Sequence, residues 1–302
     1  MQQHEDFDAL IIGGSYAGLS AAMALGRSLR QVLIIDSGEP CNRFTPHAHN
    51  FLTLDGKSPL EISSLAKGQV SKYPSVHFHQ GHVQGVRGVD GAFGVTTDEG
   101  ESFGAKKLIL ATGIRDILPQ VKGFAECWGK SVIHCPYCHG YEFRGRRTGI
   151  WASGEKALHL AALGHNLTQE LILFPDSDTF PWEGAEKLES LGIRIVSGEI
   201  QALEHRQGIL EGVVLGDGNI MALDALYASP PFEQSSDLPQ ALGCRLTPQG
   251  HIQVDMMQRS SVAGVYACGD NASGMRSLAQ AVQAGNMAGA ALNSELALAE
   301  FQ

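Results

Sequence analysis

Phe7-Asp8-Ala9-Leu10-Ile11-Ile12, running directly into Gly13-Gly14-Ser15-Tyr16-Ala17-Gly18, is the stretch on which the fold turns. An apolar strand meets a glycine turn, and Ala17–Leu29 continues as a small-residue helix pattern. Gln31-Val32-Leu33-Ile34-Ile35-Asp36 then reads as a second strand, so residues 7–36 form a βαβ unit and imply a parallel sheet. The N-terminus of a helix opened in this way suits a dinucleotide pyrophosphate. Asp36 closes the second strand eighteen residues past Gly18, where a carboxylate accepts hydrogen bonds from adenosine ribose hydroxyls. Ser15 occupies the place of the middle glycine, and its small side chain is tolerable there. A glycine turn alone also fits an ordinary βα connection; strand, turn, helix and acid together favour a dinucleotide site.

A second unit of the same kind opens at Arg147, with a strand over Thr148–Ala152, a helix from Lys156 to Leu163 and a strand over Leu171–Phe174. Its turn, Ala152-Ser153-Gly154-Glu155-Lys156-Ala157, lacks the first glycine and puts an acid beside the phosphate position. The following strand ends in Phe174-Pro175-Asp176-Ser177-Asp178, with no Arg or Lys to meet a 2′-phosphate. NAD(P)H therefore stays open as a second cofactor, against a βαβ unit that kept its fold and lost its ligand. Further strand patterns over Phe93–Thr97, Lys107–Leu110 and Val262–Asp270, with an Ala-rich helix over Ser277–Leu298, place both chain ends in one domain with another inserted.

Composition narrows the function. The 302 residues suffice for about two domains, and 43% hydrophobic with 18% charged residues supplies a substantial core. The 36 glycines exceed the usual share of about 7%, as nucleotide-binding loops require. A net charge of −10 excludes a basic nucleic-acid groove, and no polybasic patch or long apolar run points to a membrane. The polar, acidic start Met1–Asp6 lacks the features of a signal peptide, so the expected location is cytoplasmic.

Six cysteines stand at 41, 127, 135, 138, 244 and 268, and only Cys135-Pro136-Tyr137-Cys138-His139-Gly140 forms a motif. One thiolate of such a pair attacks and the other resolves a mixed disulfide. Attachment of c-type haem, a structural zinc shared with His134 and His139, and an inert buried pair are the competing readings. A redox dithiol is favoured, since no second ligand pair is spaced for zinc and haem attachment does not suit two dinucleotide-type units.

With these residues in view, the sequence resembles the low-molecular-weight thioredoxin reductase-like flavoproteins of the pyridine-nucleotide disulfide oxidoreductases. The resemblance rests on Gly13–Gly18 with Asp36, Asn50-Phe51, Ala111-Thr112-Gly113, Cys135-Pro136-Tyr137-Cys138, and Gly264-Val265-Tyr266-Ala267-Cys268-Gly269-Asp270. It implies an α/β protein of two Rossmann-like, three-layer domains: a discontinuous FAD domain over 1–115 and 245–302, and an inserted NAD(P)-type domain over 116–244 carrying the dithiol. It implies that Gly13, Ser15, Ala17, Gly18 and Asp36 hold the ADP half of FAD. Asn50, Val83, Thr112, Gly113, Gly269 and Asp270 would lie along the rest of the cofactor. Cys138 would be the thiol that reacts with the flavin and Cys135 the one that exchanges with substrate, in a homodimer.

Three departures mark the branch. His139 stands where standard thioredoxin reductases have Asp, Phe174-Pro175-Asp176 replaces their His-Arg-Arg cluster, and Leu278-Ala279 replaces their Arg-Gln pair. Cys-Pro-Tyr-Cys-His-Gly instead looks like the branch of gliotoxin- and holomycin-type dithiol oxidases, which close a disulfide in a small molecule and pass the electrons through FAD to oxygen. An imidazole titrates near neutral pH, which fits His139 as acid/base for thiols. The expected partner is a small dithiol or disulfide, or a thioredoxin-like protein, with no nucleic acid, membrane or metal. The alternatives are an NAD(P)H-dependent thioredoxin reductase, a ferredoxin- or flavoprotein-linked disulfide reductase, and a non-catalytic flavin redox sensor. His47 and His49, before Asn50, rank as solvated loop residues.

Overall fold

The structure is a computed structural model that describes residues 6–176 and 182–301. The sequence features at Ser177 and Asp178 lie outside the described residues. Two compact units emerge: Met1–Arg43, Leu60–Arg115 and Phe232–Gln302 make the first, Phe44–Pro59 and Asp116–Pro231 the second.

In the first unit, strand Asp6–Ile12 pairs in parallel with Val32–Asp36 on one side and Ser102–Leu110 on the other. Val76–Gln80 extends the sheet beyond Val32–Asp36, and Val265–Ala267 adds to the end of Ser102–Leu110. An antiparallel hairpin, Val83–Val89 with Ala92–Thr97, joins the beginning of Ser102–Leu110. Leu10, Ile12, Leu33, Ile35, Leu108 and Leu110 alternate onto one core-facing side. The intervening Ile11, Ile34 and Ile109 are also fully buried, so the sheet is covered on both faces as a parallel sheet requires. Helix Tyr16–Arg27 follows the first strand and ends where Leu29 takes a left-handed φ of 61°. Terminal helix Leu278–Ala299 packs on it at close range, with Gly285 and Gly289 against the main chain of Ala17 and Ala21.

The second unit has its own parallel sheet, in the order Arg194–Ile195, Leu171–Phe174, Thr148–Trp151, Ala225–Ala228, Val132–Ile133. A three-stranded antiparallel sheet, Ile200–Arg206, Ile209–Leu215 and Ile220–Ala222, shares its core through Leu203, Val213 and Leu226. Helix Gly154–His165 completes the second βαβ unit. The fold is thus the expected α/β pair of Rossmann-like units, the first built from three segments and the second from two.

Two boundaries differ from expectation. The division placed at 244/245 falls at 231/232, because Leu238 and Cys244 pack into the core of the first sheet. Residues 44–59, expected in the first domain, group with the second unit, where His49 packs against His139. Among the described residues no helix is long and apolar enough to cross a membrane.

Candidate active site

The first-unit candidates gather where parallel strands end, the position at which α/β sheets bind ligands. Gly13 leaves strand Asp6–Ile12 with φ 105°, and a Cβ there would collide with the carbonyl of Ala111. That collision explains why the turn needs glycine. The Gly14 amide donates to Asp36 Oδ1 at 2.9 Å. Ser15 caps helix Tyr16–Arg27 by position only, since its hydroxyl makes no cap hydrogen bond. The first-turn amides are therefore without a side-chain cap, as an anion site needs. Gly18 and Ala17 are buried, and Ala17 spends its methyl on packing near Gly269 rather than on an open surface.

A cleft of about 110 Å³ opens beside this turn, lined by Gly14, Asp36, Gly38, Lys67, Phe78, His79 and Gln80. The sequence reading missed the last five. Lys67 lies over the Phe78 ring at 5.1 Å, and His79 pairs with Glu101 at 2.8 Å. Val83, by contrast, has its side chain in the core.

Thr112 and Gly113 follow strand Ser102–Leu110, and Gly269 and Asp270 follow Val265–Ala267. Asn271, unremarked in the sequence, ties these two ends together: its Nδ2 donates to the Leu110 carbonyl at 2.9 Å and to Thr112 Oγ1 at 3.2 Å. Asn271 is fully buried and its Oδ1 has no partner, an acceptor left for a ligand donor. Asp270 faces Arg276 Nε at 3.8 Å, while Arg276 Nη2 donates to Cys41 Sγ at 3.1 Å. Burial pushes the Cys268 thiol up to about 12, so this neighbour of Gly269 is chemically inert. The glycine cradle, the uncapped helix, the acid and the orphaned Asn271 acceptor fit the ADP and flavin parts of FAD.

In the second unit, Cys135 and Cys138 are joined in a disulfide with Cα atoms 5.3 Å apart. Cys135 caps the short helix Pro136–His139, its Sγ accepting from the Cys138 amide at 3.2 Å, with Pro136 preset for the first helical position. Tyr137, between the cysteines, is 68% exposed, and Tyr141, stacked by Arg144 at 4.0 Å, is 64% exposed. Both His139 ring nitrogens are shielded from solvent, and among the described residues no side chain bonds them. Burial, helped by the nearby His49 and opposed by the main chain of His47, lowers the His139 pKa to about 4. His139 is thus neutral at pH 7 and titrates well below the near-neutral range on which its acid/base role was expected, because burial disfavours its charged form. Gly140 lies tight against Leu167 and the Tyr227 hydroxyl, which burial and the charge of Glu142 push up to about 12.

Asn50 belongs to the second unit, where its φ is 58° and its amide donates to Asp55 Oδ1 at 2.7 Å. His49 sits with Asp55 and Glu142 on either side and its ring 6.5 Å from that of His139. Its rank as a mere loop histidine understated it.

In the second nucleotide turn, Ser153 Oγ accepts from the Asp176 amide at 3.0 Å, Ala152 is buried, and Glu155 is the charged residue of the first helical turn. Lys156 Nζ reaches instead to the Ser229 carbonyl at 3.4 Å. Ala152 and Glu155 depart from the usual dinucleotide turn, while Ser153 leaves the helix start without a side-chain cap and Gly154 faces open space, so a nicotinamide dinucleotide stays open here.

Comparison with known proteins agrees with this geometry. The family model described as pyridine nucleotide-disulphide oxidoreductase matches residues 7–288. A protein named thioredoxin reductase tcpT, from Claviceps purpurea, is 32% identical, the match covering 96% of this chain and 94% of that protein. The crystal structure of an oxidoreductase from Agrobacterium tumefaciens superposes with a TM-score of 0.91 at 39% identity, covering 97% of this chain and 99% of its own. That of HlmI gives a TM-score of 0.92 at 30% identity, covering 99% and 95%.

Proposed function

The chain belongs to the pyridine nucleotide-disulphide oxidoreductase family, FAD-dependent oxidoreductases acting on sulfur groups, and from that premise we propose that Cys135/Cys138 exchanges with a small dithiol or disulfide substrate. One observation supports this above the others: the disulfide borders the exposed Tyr137, with the neutral, shielded His139 imidazole next in the chain. A substrate thiol gives its proton to His139, and the thiolate attacks Cys135, releasing Cys138 as thiolate. The second substrate thiol then displaces Cys135, and the substrate leaves as a disulfide two electrons poorer. FAD, when bound, supplies the two-electron acceptor that reoxidises the pair. Gly13, Ser15, Gly18, Asp36, Thr112, Gly113, Gly269 and Asp270 would hold it, with Ala17 and Val83 shaping the site from within the packing. Tyr137 offers an aromatic face to the substrate, and Ala152 and Glu155 in the second turn speak against a nicotinamide as the native donor. The isolated Cys-x-x-Cys suits a reducing, cytoplasmic setting, and the thioredoxin reductase-like pattern a homodimer.

Anaerobic titration of the flavin with dithiothreitol, NADH and NADPH in parallel tests this. Rapid reduction by the dithiol and slow reduction by both nicotinamides are expected. A Cys138→Ser variant whose flavin is reduced by dithiol at the wild-type rate overturns it. The second reading, an NAD(P)H-driven disulfide reductase, draws on the preserved strand, turn and helix at Thr148–His165 and on the names of the relatives. Rapid bleaching by NADPH would favour it.

A further inference from the structure

His139 poses a problem that its own surroundings do not solve. A buried base with no side-chain partner takes up a substrate proton and then holds a charge that burial disfavours. That proton needs a way out. His49 stands edge-on to the ring and the main chain of His47 bears on it, both from the loop 44–59, while Glu142 flanks His49 and the Tyr227 hydroxyl lies against Gly140. Tyr227, pushed up to about 12, stays protonated and accepts nothing. His47 is turned aside, its Nδ1 3.1 Å from the Gly56 carbonyl. His49 is different: its ring stands edge-on to His139 at 87°, its Nε2 lies 3.6 Å from Glu142 Oε1 and its Nδ1 3.7 Å from Asp55 Oδ2. Exposure rises along this line, from 21% at the His49 side chain to 37% at Glu142 and 66% at Asp55.

We propose that His49 is a positioning and relay residue, carrying the proton taken by His139 to the carboxylates of Glu142 and Asp55 and so to solvent. This rests on the thiol–disulfide exchange proposed above. One bridging water or a rotation of the His49 ring spans the gap between the imidazoles. The exchange balances without an added reagent. Two substrate thiols lose two protons and two electrons, one S–S bond forms in the substrate, and the Cys135–Cys138 bond breaks with its sulfurs taking up the electron pair. The protons pass one at a time through His139, reaching solvent through His49 or returning to the departing thiolates. The loop 44–59 thus has a reason to pack with the dithiol unit: it brings the relay to the base.

The FAD-loaded protein is mixed anaerobically with dithiothreitol at pH 5.5–9, quenched with a maleimide at intervals, and the free Cys135 and Cys138 thiols are counted by mass spectrometry. His49→Gln is expected to slow disulfide reduction about 10-fold at pH 7, with the deficit shrinking towards pH 9, where the reagent ionises unaided. Glu142→Gln is expected to act in the same direction. The double variant should be no slower than the worse single one, because both interrupt one path. A wild-type pH profile in His49→Gln, or fully additive losses in the double variant, overturns the relay. Should His49→Gln fold poorly, Glu142→Gln alone decides by its pH profile. Loss of the relay pattern while Cys138→Ser still abolishes dithiol-driven flavin reduction sinks only this proposal; an unaffected Cys138→Ser sinks the exchange itself.

Discussion

The Gly14 amide donates to Oδ1 of Asp36 at 2.9 Å, joining the glycine turn to the end of the neighbouring strand within the protein itself. Asp36 therefore braces the turn through one oxygen, and in the FAD site proposed above the other would meet a ribose hydroxyl. Asp36→Ala loses both interactions, and FAD affinity measured by fluorescence titration is expected to fall about 10- to 100-fold, a loss of roughly 1.4–2.8 kcal/mol. Asp36→Asn, which keeps an acceptor for Gly14, should lose less. Equal losses in the two variants would show that the brace contributes nothing.

Gly13 and Gly113 both have positive φ, 105° and 68°, yet they differ in what surrounds them. A Cβ at Gly13 meets the Ala111 main chain, whereas one at Gly113 meets open space. Gly13→Ala should destabilise by about 2–4 kcal/mol and Gly113→Ala by about 1 kcal/mol, read from urea unfolding. Similar costs at the two positions would count against the steric account.

His139 makes stability depend on pH. Its folded pKa is about 4 against an ordinary 6.5, so between these values the unfolded chain binds the proton and the folded chain does not. Stability contributed by the neutral ring is complete above pH 6.5 and is lost as pH falls towards 4. Wild type should lose roughly 2–3 kcal/mol more than His139→Gln between pH 7 and pH 4, by urea unfolding at each pH. Parallel curves for the two proteins would place the imidazole in contact with water.

Lys107 is buried on strand Ser102–Leu110, with Asp90 at 2.6 Å and Glu295 of the terminal helix also in contact. Tyr266 donates to the other Glu295 oxygen at 2.5 Å. Lys107→Met leaves two carboxylates facing each other and is expected to cost about 3 kcal/mol, while Glu295→Gln, which keeps the Asp90 pair, costs about 1 kcal/mol. Calorimetric melting of the two variants checks the order.

Much of this was legible in the chain because local pattern and tertiary demand coincide. Phe7–Gly18 and Asp36 needed only one another to be read, and so did the Cys135–His139 run. What stayed hidden depends on distant partners. Asn271 gains its meaning from Leu110 and Thr112, some 160 residues earlier, although its place directly after Gly269-Asp270 was a usable signal. Phe78, His79 and Gln80 line the cleft only because Val76–Gln80 pairs beside Val32–Asp36, and its alternation of apolar and polar residues was the cue. Residues 44–59 look like an ordinary loop of the first unit, and no local property says that His49 meets His139. The second nucleotide turn was read from what it lacks.

The interleaving of the two units also bears on how the chain assembles during synthesis. Strand Asp6–Ile12 emerges early, but its sheet is incomplete until Val265–Ala267 joins Ser102–Leu110 and the terminal helix covers Tyr16–Arg27. Every segment of the second unit has been made by Pro231. The unit whose sequence begins first is therefore the last to close, and until then its apolar Leu10-Ile11-Ile12 and Leu33-Ile34-Ile35 strands lack their full cover. A released chain truncated after residue 240 should show a protease-resistant second unit beside a first unit still open to cleavage.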